Sequence, residues 1–130
     1  VDVKEFWEWC GFTRDKSKYW YKPNGNLFGY FTAPKIDLNN LFKYAVPKLD
    51  ELGYVFTLYR FYTIKDDFKT PDTYGYGAKV YKYGIIPESS IEGIPDKDPA
   101  QALYRAICQV ISSTGRNMGG GGQSASPEGR

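Results

Sequence analysis

Residues 54–63 read Tyr54-Val55-Phe56-Thr57-Leu58-Tyr59-Arg60-Phe61-Tyr62-Thr63, and residues 78–83 read Ala78-Lys79-Val80-Tyr81-Lys82-Tyr83. Aromatic and β-branched residues fit a pleated surface, so both runs predict strands. The first lacks the apolar/polar alternation of a strand wet on one side, which predicts cover on both faces. Helices on both faces would supply that cover, and so would helices on one face with a second protomer on the other. The polar stretch between the runs, with Lys65-Asp66-Asp67 and Thr70-Pro71-Asp72, predicts a long-looped hairpin.

Working outward, Tyr19-Trp20-Tyr21 and Leu27-Phe28-Gly29-Tyr30-Phe31 flank Asn24-Gly25, a dipeptide suited to the positive φ angles of a tight turn. They predict a second hairpin. Asp2 followed by Glu5 reads as a capping box for a short helix over residues 3 to 10, ended by Gly11. Asp37 caps a helix whose apolar stripe is Leu38, Leu41, Phe42, Ala45, Leu49 and Leu52, with Pro47 predicting a kink or break before Gly53. Asp98 and Pro99 open a third helix on Ala102, Leu103, Ala106, Ile107 and Val110. The order is α-β-β-α-β-β-α: an α+β, sandwich-like fold in which helices pack on an antiparallel sheet. Residues 1–115 form one domain, and residues 116–130 a Gly/Ser-rich flexible tail.

The 130 residues include 12 tyrosines, 8 phenylalanines and 3 tryptophans, an aromatic share well above ordinary usage and suited to half-wet contact surfaces. A net charge of +2 is too small for a duplex-DNA binder, which must neutralise many phosphates. No long apolar run and no leader are readable, and two cysteines without metal-ligand spacing, Cys10 and Cys108, read as buried free thiols, so a cytoplasmic setting is expected.

Histidine is absent, which removes the side chain best suited to proton transfer near neutrality and the commonest metal ligand. The carboxylates Asp66-Asp67 and Asp96/Asp98 lie among lysines in loops, where solvation and helix capping account for them. Neither cysteine has a neighbouring base. The expectation is therefore a binder, with no catalytic residue, metal or cofactor.

Cations interleaved with aromatics supply a binding vocabulary, because a ring stacks on a base while a guanidinium meets phosphate. Arg60, Tyr81 and Tyr83 are candidates on this chemistry, and Arg116 is a fourth beyond the last helix. The same residues suit a packed sheet with a decorated rim. Arg105, between Leu103 and Ile107, is a cation near an apolar stripe that needs a partner.

The segments Asp37-Leu38-Asn39-Asn40-Leu41-Phe42-Lys43-Tyr44-Ala45-Val46-Pro47-Lys48-Leu49 and Asp98-Pro99-Ala100-Gln101-Ala102-Leu103-Tyr104-Arg105-Ala106-Ile107 resemble small phage-encoded proteins of the ABA-sandwich type. The resemblance covers about residues 3 to 111, and its closing helix carries Arg105 at the matching position. Proteins similar to this family, the first type of Thoeris anti-defence proteins, are sponges. The resemblance thus implies a homo-oligomer that sequesters a cyclic ADP-ribose-type signal or a cyclic oligonucleotide without cleaving it. A protein-interaction module inhibiting a host protein, or a single-stranded nucleic-acid binder, is the alternative from chemistry alone.

Overall fold

The computed structural model describes residues 1–84 and 90–118, with side chains to residue 114. The first helix, α1 (Val3–Trp9), begins at a complete capping box: the Glu5 amide donates to Asp2 at 2.7 Å and the Glu5 carboxylate accepts from the Asp2 amide. Gly11 leaves it with φ of +108°. Three strands follow, β1 (Thr13–Arg14), β2 (Tyr19–Tyr21) and β3 (Leu27–Tyr30), with Gly25 at φ +92° in the turn between β2 and β3. The predicted hairpin is present, and β1 extends it to three strands. Two residues made β1 too short to read. Asp15 fixes the following turn by accepting from the Ser17 and Tyr19 amides and the Tyr21 hydroxyl.

The second helical region has three parts: α2 (Leu38–Asn40), a π-helical segment (Leu41–Ala45) and α3 (Val46–Glu51). Asp37 caps it as expected, accepting from the Asn40 amide at 2.8 Å. The kink predicted at Pro47 takes the form of the π turn, in which the Val46 amide reaches Leu41 five residues back. Pro47 has no amide hydrogen to offer Lys43, and its ring would crowd that carbonyl in a regular α-helix. The π turn also keeps Leu41, Ala45 and Leu49, each four residues apart, on one buried line. Phe42 and Leu52, predicted for the same stripe, are exposed instead.

The long hairpin pairs β4 (Tyr54–Ile64) with β5 (Pro71–Lys82) in antiparallel register from Tyr54↔Lys82 to Tyr62↔Tyr74, with a bulge before Ile64↔Pro71. It is longer than predicted, because Tyr74-Gly75-Tyr76-Gly77 belongs to the strand. Phe61 lies against Gly75 and Tyr59 against Gly77; a Cβ on Gly77 would fall 2.5 Å from the Tyr59 ring. Aromatic cover from the facing strand thus replaces the packing that glycine lacks. A two-residue strand, β6 (Ile91–Glu92), pairs with β5, and α4 (Pro99–Met118) follows.

Among the described residues the architecture is α+β, with six strands in two three-stranded antiparallel sheets, β1-β2-β3 and β4-β5-β6, rather than one. Core residues come from both sheets and every helical region: Phe6, Trp7, Phe12, Trp20, Leu41, Leu49, Val80, Leu103, Ile107 and Val110 are all essentially sealed. The α4 stripe is buried as predicted, but the helix runs on through Gly115 to Met118. It passes its last sealed residue, Val110, and continues through the weak helix formers Ser112, Ser113 and Thr114, two of which return a hydroxyl bond to the Val110 carbonyl. Residues 119–130, most of the predicted tail, lie outside the described residues.

Tyr54, Phe56, Leu58, Ala78 and Val80 face the core from one side of the long hairpin. The other side carries Val55, Thr57, Tyr59, Phe61, Lys79 and Tyr81, none of which joins that core. Cover on both faces is therefore not what the described residues provide. The missing alternation has a local cause: Tyr59 and Phe61 are occupied with the glycines opposite.

Candidate functional site

The β4–β5 hairpin outruns the core at its far end, from Arg60 and Tyr76 to the turn. A groove of about 460 Å³ opens there, lined by Arg60, Asp72, Thr73, Tyr74, Gly75, Tyr76 and Lys97. Strand geometry explains the gathering, since Arg60 is opposite Tyr76, and Tyr74 is the next same-side residue along β5. The Arg60 guanidinium stacks 4.8 Å from the Tyr74 ring centre. Such stacking orients the guanidinium while leaving its N–H edge free to meet an anion.

The groove's third wall is the approach to α4. Asp96 forms a two-way backbone bridge with Tyr76, the Tyr76 amide donating at 2.7 Å and the Asp96 amide at 3.0 Å. Lys97 is thereby carried to the groove two residues ahead of α4, near the positive end of that helix's macrodipole. Two cations against Asp72 leave the groove positive.

Arg105 has the partner its position demanded: it meets Asp96 at 3.1 Å and donates to the Pro95 carbonyl at 3.2 Å. It thus braces the segment that carries Lys97. Arg60 lines the groove opposite Tyr76, and Arg105, which is not among the groove's lining residues, holds Asp96, the other member of that backbone bridge. Tyr81 lies on the opposite face of β5, its hydroxyl 3.4 Å from Thr57 Oγ1. Tyr83 is 79% exposed just past the strand. Arg116 falls within α4, and its side chain lies outside the described residues. Asp72, Thr73, Tyr74, Tyr76 and Lys97 were not singled out from the sequence. Once Tyr74-Gly75-Tyr76-Gly77 is read as strand with Arg60 opposite, its alternation supplies the missing signal.

The two thiols are poor nucleophiles. Burial pushes the Cys10 pKa up to about 12 and raises that of Cys108 as well. Among the described residues no group of three His, Cys, Asp or Glu side chains is placed to hold a metal, and no helix is long and apolar enough to cross a membrane. On the outer face, Tyr59 donates to Glu92, and that bond raises the Tyr59 pKa.

No family model matches the chain, and neither does any curated protein or solved structure.

Proposed function

We propose that the protein binds a small cyclic nucleotide, of the cyclic ADP-ribose or cyclic oligonucleotide kind, in the hairpin groove and releases it chemically unchanged. One observation carries the reading: Arg60 and Lys97 share a single groove with the rings of Tyr74 and Tyr76. Cations in that setting meet phosphate, and a tyrosine face accepts a base. The protonated thiols and the absence of histidine support binding without turnover. A phage-encoded sponge acting in the host cytoplasm fits this chemistry.

A second copy of the chain belongs to the same proposal. Among the described residues β4 pairs only with β5, so one edge of an 11-residue strand has no partner, and Arg60 is its only charge. An edge so sparsely charged suits pairing with another strand.

Titration with cyclic ADP-ribose tests the site. Arg60→Ala is expected to weaken binding by roughly tenfold or more, the scale of a lost charge-assisted hydrogen bond. Unchanged affinity in that variant would remove the groove from the account. Saturable, salt-dependent binding of single-stranded oligonucleotides in place of the cyclic ligand would favour the nucleic-acid alternative.

A further inference from the structure

A second pocket, of about 420 Å³, shares no residue with the hairpin groove. Its walls are Cys10, Lys22, Pro23, Asn24, Lys43, Tyr44, Pro47, Lys48 and Glu51. Three lysines converge on it from three elements: Lys22 from the β2–β3 turn, Lys43 from the π segment and Lys48 from α3.

The π turn helps to create this convergence. Residues five apart on a regular α-helix point about 140° apart, at 3.6 residues per turn. The extra residue in the π turn brings Lys43 and Lys48 nearer to the relation of residues four apart. Such turns recur at functional sites.

The remaining walls are built and largely apolar. Pro23 is seated against Gly11, where a Cβ would come within 3.2 Å of it, so the hairpin turn is held to the end of α1. The Tyr44 ring is fixed edge-on to Phe12 at 4.8 Å and Trp7 at 6.4 Å. Glu51 pairs with Lys48 at 3.3 Å and is the single carboxylate among the described lining residues, while the Cys10 thiol remains neutral.

We infer that this pocket is a second ligand site, for a phosphate monoester carried on a compact apolar group: Lys22, Lys43 and Lys48 meet the phosphate, and Pro23, Tyr44 and Pro47 meet the apolar part. Lysine recognises phosphate as a point charge, without the planar matching that arginine imposes. The site is independent of the nucleotide reading, because none of its residues lies in the hairpin groove.

Calorimetric titration of the full chain with phenyl phosphate and with inorganic phosphate, at low salt, tests it. Phenyl phosphate is expected to bind saturably and roughly tenfold more tightly than inorganic phosphate, since only it covers apolar wall. Lys22→Met and Lys43→Met, each checked for an unchanged thermal melt, are expected to weaken it by about tenfold apiece. Arg60→Ala is expected to leave it unchanged. Absence of saturable binding, equal affinity for the two probes, insensitivity to both lysine variants, or loss in Arg60→Ala would each overturn the assignment. Failure of cyclic ADP-ribose to bind the groove would leave these outcomes as they stand.

Discussion

Gly93 and Gly29 show how much a single hydrogen atom decides. A Cβ on Gly93 would fall 2.5 Å from the backbone nitrogen of Ala106, whereas one on Gly29 would meet nothing within 4 Å. Backbone cannot swing aside as a side chain can, so Gly93→Ala is expected to cost about 2 kcal/mol or more, against less than about 0.5 kcal/mol for Gly29→Ala. Urea midpoints of the two variants check the contrast, and equal midpoints would contradict the seating of β6 on α4. Cys10 makes a prediction of another kind. Its folded pKa of about 12 lies above the ordinary 9.0, so the unfolded chain loses the proton first as pH rises. The stability tied to the thiol is full below about pH 9 and is lost toward pH 12. Tyr59, raised by its bond to Glu92, acts in the same direction above its ordinary value of 10.0. Denaturant midpoints should therefore hold up to about pH 9 and fall from there toward about pH 12, and a flat profile over that range would contradict the burial of Cys10. At this scale the sequence was legible where a residue answers to its immediate neighbours: Asp2, Asp37 and Asp98 all cap as read. Arg105 visibly needed a partner, but Asp96 could be identified only once the chain folded back.

Among the elements, the π segment sets two forces against each other. Pro47 disfavours a regular turn, and Leu41, Ala45 and Leu49, spaced by four, fall closer to one line on a wider turn than on a regular helix, where each step drifts by about 40°. In Pro47→Ala the first reason disappears and the second remains. A restored amide hydrogen bond is worth about 1 kcal/mol, whereas turning the sealed Leu49 away from the core forfeits about 2 kcal/mol. The π turn should therefore persist, with stability changed by no more than about 1 kcal/mol. Backbone chemical shifts of residues 41–46 would show this, and their conversion to a regular α pattern would make Pro47 the sole cause. The sequence announced a disturbance at Pro47 but not its form, because the choice between a break and a π turn depends on what the helix packs against. For the same reason β5 read short: Gly75 and Gly77 look like loop residues until Phe61 and Tyr59 are placed opposite them. The end of α4 was misread because Ser113 and Thr114, which look like the start of a loop, turn their hydroxyls back onto the Val110 carbonyl within the helix.

At the level of the molecule, two small sheets and the helices share one aromatic core, and the long hairpin projects past it with the groove at its far end. That projection leaves an edge of β4 and an outer face bearing Tyr59, Phe61 and Tyr81. Light scattering on the intact chain is expected to give a mass of two copies or a multiple, and Thr57→Lys, which sets a charge on that strand, to reduce it. A monomeric mass at micromolar concentration would contradict the pairing. The class of fold was readable from periodicity and caps. The groove was not, because it depends on a strand register that aligns Arg60 with Tyr74 and Tyr76 and on a bridge that delivers Lys97. The central claim, capture without cleavage, is tested most directly by equilibrium dialysis against cyclic ADP-ribose followed by heat denaturation and chromatography of the released ligand. Retention and recovery of the intact cyclic molecule by the natural chain, with retention lost in Arg60→Ala, is the predicted result; no retention, or recovery of a hydrolysed product, would contradict it.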